Sequence, residues 1–445
     1  MKVTQFFYKF PRLFFWQAAI VLFLTVFVII APYASFLRFA NIFDNTNAVS
    51  FFHDHVDILY YYDVVDDFFV EGSYPPANTY PPLTYLAFLF LRFVVEFFGG
   101  SVYDYIMIFH ALMGVCLILA LGVFHRILRI LGRSPLLSWF FFLPSFLYFT
   151  FSRFDILVLL FLLLSIFFLL EKKYIPALTF LALTFVLKWF TVVLVPFFFI
   201  YILFDIGGGV AGAGTVQKDS TIIRRALHGW GFFGGIIVLT HVAMAGFLGF
   251  AAVYQPYVLQ LGRLVEIGSF LASLIGGVFY TDYEIFSGLI RVSPLGRWVV
   301  GMIFTLAQFF PVFFILLWAK RLPKLSDKAR RQEFLLWVGL LIANFVFWNR
   351  VYSPQWIIWF LPLLVLPSGS RRLWIGLVVY DLLNYTFFPY GFFLGYQPGE
   401  PFILLHALSL VRSLILFIII VLTVRELLWR SNGHFLSNTS PSHDS

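Results

Sequence analysis

Residues 152–173 read SRFDILVLLFLLLSIFFLLEKK. No charge interrupts 156–170, and the run is bounded by Arg153 and Asp155 on one side and by Glu171, Lys172 and Lys173 on the other. Such a helix has no polar face to offer water, whereas in a bilayer its backbone groups are satisfied internally. Similar runs recur along all 445 residues, which are 61% hydrophobic, 21% aromatic and 12% charged. Mean hydropathy is +0.92. Soluble domains carry about 25% charged residues, so this composition excludes a soluble enzyme, a disordered chain and a secreted disulfide scaffold. The one cysteine, Cys116, lies in an apolar run and permits no internal disulfide. The formal charge of +8 sits in short clusters between the runs, a pattern of membrane orientation and not of nucleic-acid binding.

Working outward, the charges set a topology. Lys2, Lys9 and Arg12 precede the first run, 13–31, which reads as an uncleaved span with a cytoplasmic N-terminus. Asp44, Asp54, Asp57, Asp63, Asp66, Asp67 and Glu71 follow, with no Lys or Arg between Arg38 and Arg92, so this loop belongs outside. Basic clusters at Arg126/Arg129/Arg133, Lys172/Lys173, Lys218/Arg224/Arg225, Lys320 to Arg331, Arg371/Arg372 and Arg425/Arg430 are then cytoplasmic. That bookkeeping requires 81–98 to be an interfacial helix inside an outer loop over 32–104, with Arg92 and Glu96 on one face. Further spans are expected at 105–125, 135–151, 156–170, 174–187, 190–204, 229–250, 298–319, 334–348, 356–368, 373–388 and 405–424. An outer segment covers 251–297. The expectation is an all-α polytopic membrane protein of about 12 spans, one domain over 1–430, both termini inside, and a disordered tail over 431–445. The glycine-rich loop at 207–214 lacks a following Gly-Lys-Ser/Thr and reads as a linker.

On this map the polar residues collect at the outer face. They are Asp54 and Asp57; Arg153 and Asp155; Lys188; Arg263 and Glu266; and the turn from Asn349 and Arg350 through Gln355. Ionisable groups in a membrane are costly and point to function. Carboxylates beside cations suit a reaction on a membrane-borne anion, one carboxylate serving as base while cations hold a phosphate leaving group. Plainer readings exist for each. Loop acids are often only solvated, Arg153 and Asp155 can form a structural pair, and Lys188 can snorkel to headgroups. Trp189, Trp337, Trp348, Trp356 and Trp359 read as interfacial aromatics. His53-Asp54-His55-Val56-Asp57 is not a recognised ligand spacing, and no metal or other cofactor is expected.

Several of these strings, in order over roughly 50–365, resemble the polytopic GT-C glycosyltransferases. The nearest likeness is to glycosyltransferase family 87, the polyprenyl-phosphate-mannose-dependent mannosyltransferases, and its membrane relatives. The strings are Asp57-Ile-Leu-Tyr-Tyr, Glu71-Gly-Ser-Tyr-Pro-Pro, Tyr80-Pro-Pro-Leu, Ser152-Arg-Phe-Asp155, Leu187-Lys188-Trp189, Arg263-Leu-Val-Glu266 and Arg350-Val-Tyr-Ser-Pro-Gln-Trp356. The last is the most specific; a glycine stands before Ser269 where the family pattern has none. The resemblance implies an inverting transferase of the hexosyltransferase class at the outer face of the cell membrane. Its donor would be a polyprenyl-phosphate-linked sugar, mannose being the leading case, and its acceptor a hydroxyl of a glycan, glycolipid or protein of the cell envelope. By position Asp57 matches the base, with Asp54 as the substitute and Asp155 as a second outer-face acid. Lys188, Arg263, Glu266, Arg350, Gln355 and Tyr80 would bind substrate. No cytoplasmic loop is long enough for a dinucleotide-like fold, so a nucleotide-sugar donor does not fit. The competing class is a transporter or lipid flippase, which would bury its charges near mid-span.

Overall fold

In a computed structural model of the protein, the described residues are 11–30, 54–72, 80–207, 220–262, 269–270, 302, 305–315, 318–319, 322, 325–349, 351–391 and 403–431. They form helices and no strand. Four helices are long and apolar enough to cross a membrane: Arg12–Ile30, Val102–Ile130, Ile223–Leu248 and Leu404–Arg430. A fifth candidate is the pair Pro135–Phe142 and Pro144–Ser152, bent by 64°. The expected runs at 156–170, 174–187, 190–204 and 356–368 are also helical, but shorter. Asp155–Leu170 has 16 residues and Tyr174–Leu187 has 14, about 24 and 21 Å at 1.5 Å per residue, against a hydrocarbon core of about 30 Å. Of the expected span 298–319, residues 302, 305–315 and 318–319 are described and helical; the loop 32–53 and residues 432–445 lie outside the described residues.

The elements follow as α1 (Arg12–Ile30), α2 (Val56–Glu71), α3 (Pro82–Phe97), α4 (Val102–Ile130), a 3-10 turn (Pro135–Phe142), α5 (Pro144–Ser152), α6 (Asp155–Leu170), α7 (Tyr174–Leu187), a 3-10 turn (Trp189–Leu194), α8 (Val195–Gly207), α9 (Ser220–Leu248) and α10 (Ala251–Gly262). After these come α11 (Asp327–Phe347), a 3-10 turn (Pro354–Trp356), α12 (Ile357–Val365), α13 (Arg371–Tyr385) and α14 (Ile403–Ser431). Helices α1, α4, α6, α7 and α9 pack each against the next, while α11, α12, α13 and α14 form a second group. Helix α5 lies between, touching α4 and α6 of the first group and α12 and α13 of the second, and α12 also touches α6. Every residue of α12 is buried, as its apolar sequence requires. Water does not drive helices together inside lipid, so close approach at small residues matters more. At Gly114 in α4 an added Cβ would overlap the Thr25 side chain of α1, and at Gly339 in α11 it would overlap Leu364 of α12.

Chain reversals fall into two sets at opposite ends of the bundle. At one end Lys188 reaches Asp155, and Thr84 of α3 donates to the Leu187 carbonyl at 2.6 Å. At the other end Lys172, Tyr174 and Arg330 surround Asp205, while Arg430 meets Gln332 and the Pro367 carbonyl. Asp155 and Lys188 thus share one end, and Lys172, Asp205, Arg330 and Arg430 the other.

Helices α2 and α3 pack against each other near the first of these ends, Tyr61 meeting Phe88 and Asp66 meeting Arg92. Gly72 closes α2 in the left-handed region (φ 66°), its N–H returning to the Phe68 carbonyl. Pro82 at the first turn starts α3. Arg92 of α3 contacts Asp66 of α2 at 2.9 Å and Glu96 at 2.5 Å, with its guanidinium over Tyr62 and Phe69. Helix α3 buries Tyr85, Phe88, Leu91 and Val95 and leaves Phe90, Phe93 and Phe97 exposed. The expected interfacial helix at 81–98 is therefore a helix with nearly those bounds, apolar on both faces.

Candidate active site

Three interruptions in helical structure build the site. Helix α5 stops where Arg153 becomes extended (φ −140°, ψ 156°), and α6 restarts at Asp155, whose carboxylate sits in the favourable first turn. Helix α7 stops where Lys188 becomes extended (φ −151°, ψ 116°) before the turn that begins at Trp189. Asp54 precedes α2, tied by its N–H to Ser152 Oγ at 2.8 Å, while its Oδ1 accepts the Val56 N–H at 3.0 Å. Each charged side chain therefore leaves a helix end whose backbone is already fixed by its neighbours.

Arg153 Nη1 lies 2.9 Å from Asp54 Oδ1, and its Nε lies 2.5 Å from Asp57 Oδ2. Its Nη1 also donates to the Ser152 carbonyl at 2.8 Å. Lys188 Nζ lies 3.6 Å from Asp155 Oδ1, which accepts the Trp359 indole N–H at 2.7 Å. Around the Lys188 ammonium stand the rings of Phe154 (4.6 Å), Trp359 (5.5 Å) and Tyr80 (5.8 Å). Such faces stabilise a cation removed from water. Trp359 is stacked on Phe190 at 3.9 Å, and Tyr61 on Phe88 at 4.2 Å. The Tyr61 hydroxyl lies 3.5 Å from Asp57 Oδ2.

Exposure divides the cluster. The side chains of Asp54 and Asp155 are 0% exposed and that of Arg153 5%, whereas those of Asp57 and Lys188 keep 29% and 17%. A ligand can therefore reach one carboxylate and one ammonium. Burial pushes the Asp57 carboxyl above its ordinary pKa; Arg153 and Lys188 oppose that rise, and Asp54 and Asp155 add to it. A carboxylate so placed is a stronger base than a solvated one.

Sequence reasoning placed Asp54, Asp57, Asp155, Lys188 and Tyr80 near one another, and the structure brings them together. Gln355 is half-buried in the 3-10 turn before α12 and is not part of the ion cluster. Arg263, Glu266 and Arg350 lie outside the described residues. Two expectations need correction. Arg153 and Asp155 do not pair with each other: the extended backbone at 153 sends the guanidinium to Asp54 and Asp57 instead. Trp356 and Trp359 are not surface aromatics, being 9% and 2% exposed, and Trp359 is a direct partner of Asp155. The clue to Trp359 was its place one turn after the Ser-Pro-Gln string, with an apolar sequence on every side of it.

A second buried polar network went unread. Asp381 of α13 accepts the Ser145 and Phe146 N–H groups at 3.1 Å, capping the start of α5. Asn384 donates to Ser145 Oγ at 2.6 Å and to the Pro354 carbonyl at 2.9 Å. Arg412 of α14 donates to Asn384 Oδ1 at 2.9 Å and lies between the rings of Tyr352 and Phe387, each 4.1 Å away. Tyr352 is hydrogen-bonded to Tyr380. This network fixes the turn over 351–356 that delivers Trp359. The residues involved are spread over four separate stretches of chain, so no local spacing announces it.

Among the described residues no three His, Cys, Asp or Glu side chains gather as a metal site. His55 turns towards His110, with ring centroids 5.3 Å apart. Burial holds its pKa down at about 4, so it is neutral near pH 7. The chain matches no protein-family model and no curated protein.

Proposed function

We propose that the protein is an inverting glycosyltransferase that moves a sugar from a polyprenyl-phosphate carrier to an acceptor hydroxyl at the outer face of the cell membrane. In this reading Asp57 takes the proton of the acceptor alcohol. The alcohol oxygen forms a bond to the anomeric carbon as the bond from that carbon to the phosphate oxygen breaks. A single displacement inverts the anomeric centre and releases the polyprenyl phosphate, whose charge Lys188 meets. Arg263 and Arg350 are the further cations expected at that phosphate. Mannose is the sugar favoured by the likeness to family 87, and no nucleotide or metal is required.

The observation that supports this reading best is that Asp57 and Lys188, a carboxylate and an ammonium, are the two exposed members of one cluster whose other charges are buried. A base without a nearby cation would not assist departure of a phosphate, and a cation alone would not activate an alcohol. The topology proposed with it is about twelve crossings, with α2 and α3 lying along the outer surface and both termini in the cytoplasm. A transporter or flippase is the other class considered. The ion cluster at one end of the bundle favours chemistry at a surface over passage through the middle.

Protein reconstituted in liposomes with radiolabelled polyprenyl-phosphate-mannose and a crude envelope glycolipid fraction tests the activity. Label moving into the acceptor, with release of the carrier phosphate, is the expected outcome; label crossing the bilayer unreacted would place the protein among the flippases. Orientation is tested by cysteine labelling of Asp67→Cys, which is exposed beside the Asp66–Arg92 pair, and Lys328→Cys, also exposed. Cys116 is buried and gives no background. A membrane-impermeant maleimide should label 67 from outside intact cells and 328 only after the membrane is opened. Labelling of both from one side would break the map.

A further inference from the structure

Arg153 stands between two carboxylates of unequal kind. Asp54 is fully buried and held by the Ser152 hydroxyl, its own turn and Arg153. Asp57 is accessible, and Arg153 is its nearest ion partner at 2.5 Å. The guanidinium is fixed in turn by the Ser152 carbonyl and by the ring of Phe388, 5.8 Å from its centre. Three carboxylates share this cluster with two cations, so a phosphate arriving there meets an excess of negative charge. Arg153 is engaged by both Asp54 and Asp57, whereas Lys188 has its carboxylate neighbour at a looser 3.6 Å.

We infer that Arg153 is a positioning residue, which anchors on Asp54 in order to hold Asp57 in place and ionised, and that Lys188 rather than Arg153 meets the ligand phosphate. The inference rests on the glycosyltransferase reading for its catalytic meaning. Its physical content is that Arg153 and Asp54 act on Asp57 with opposite sign. The charged or titratable groups facing Asp57 are Arg153 and Asp155 from the turn after α5, Lys188 from the end of α7, Asp54, Tyr61 of its own helix, and Tyr80 before α3. Removing the cation favours the neutral carboxyl, and removing the neighbouring anion favours the carboxylate.

The test reads the protonation of Asp57 directly. Dicyclohexylcarbodiimide, an apolar reagent, adds to protonated carboxyl groups, and peptide mass spectrometry reports labelling at residue 57 against pH in the full-length protein. In Arg153→Gln the midpoint should move up by about 1–3 pH units, the effect typical of one close opposite charge. In Asp54→Asn, which keeps an oxygen acceptor for Arg153 and the Val56 N–H, it should move down. Arg153→Lys should fall between the parent and Arg153→Gln. The acid limb of kcat/KM, where the base must be deprotonated, should move in the same directions. Should Arg153→Gln fail to fold, Asp54→Asn carries the test alone.

Midpoints that stay at the parent value, or that move the same way in both variants, overturn the inference, since a merely structural role predicts no opposed shift. Its failure is separable from that of the reading it rests on. A parent protein that transfers no sugar, with midpoints shifted as described, removes the glycosyltransferase and keeps the tuning of Asp57. An active parent with unmoved midpoints keeps the enzyme and removes the role of Arg153.

Discussion

Asp57→Asn should leave the protein folded and lower sugar transfer by about a hundredfold to ten-thousandfold, the usual contribution of a positioned general base. The amide fits the same space and still offers an oxygen to Arg153, so packing has no reason to fail. What disappears is the proton acceptor. Asp54 does not replace it, because its carboxylate is fully buried and committed to Arg153 and the Val56 N–H. Asp155 is equally buried and committed to Trp359 and Lys188. The check is initial-rate transfer by purified variant and parent at matched amounts, with size-exclusion profiles in detergent as the control for folding. Unchanged transfer by Asp57→Asn removes Asp57 as the base. If Asp54→Asn abolishes transfer while Asp57→Asn does not, the role passes to Asp54.

The largest loss of stability is expected from Arg412→Leu. Arg412 is 0% exposed inside α14, donates to Asn384 and lies against two aromatic rings. A leucine fills much of the volume but leaves the Asn384 oxygen without this donor in a site that water does not reach. The loss combines an unsatisfied buried amide, costing about 1–3 kcal/mol, with two cation–ring contacts that contribute about 2 kcal/mol each when desolvated. A marked drop in the midpoint of thermal unfolding in detergent follows, read by intrinsic tryptophan fluorescence. Transfer should fall as well in the fraction that stays folded, because Asn384 holds the Pro354 carbonyl in the turn that leads to Trp359. An unfolding midpoint within a degree or so of the parent would mean that the network is dispensable to the fold.

Much of this could be read in the sequence because hydrophobic runs and charge clusters report directly on the bilayer. The helices at 12–30, 102–130, 220–248 and 403–431 overlap the expected spans 13–31, 105–125, 229–250 and 405–424, the last two helices running nine and seven residues beyond them at one end. The shorter ones were also located, but a run of apolar residues does not reveal how far its helix will reach. That depends on where the chain turns, as at Arg153 and Lys188, both extended at the end of a helix.

The same two turns explain what could be seen of the site. Asp155 and Lys188 stood out because charged residues between apolar runs are costly unless they have a partner. Their partners were less visible. Arg153 is two residues from Asp155 in sequence, yet bonds across the fold to residues about a hundred positions away. Trp359 looked like an ordinary membrane aromatic because burial on every side of α12 is a tertiary fact. The Asp381–Asn384–Arg412 network was hidden for the same reason: in the sequence its members stand apart, each among mainly apolar neighbours.

The most direct test of the central claim, that one accessible carboxylate activates the acceptor hydroxyl while one accessible ammonium meets the phosphate of the same lipid-borne sugar, is a cryo-electron microscopy structure with a non-transferable polyprenyl-phosphate sugar bound. The phosphate should lie against the Lys188 ammonium, close to Tyr80 and Trp359, with the anomeric carbon facing the side on which Asp57 stands. Headgroup density at the opposite, basic end of the bundle, or a continuous water-filled path through the bilayer in place of a closed site, would contradict it.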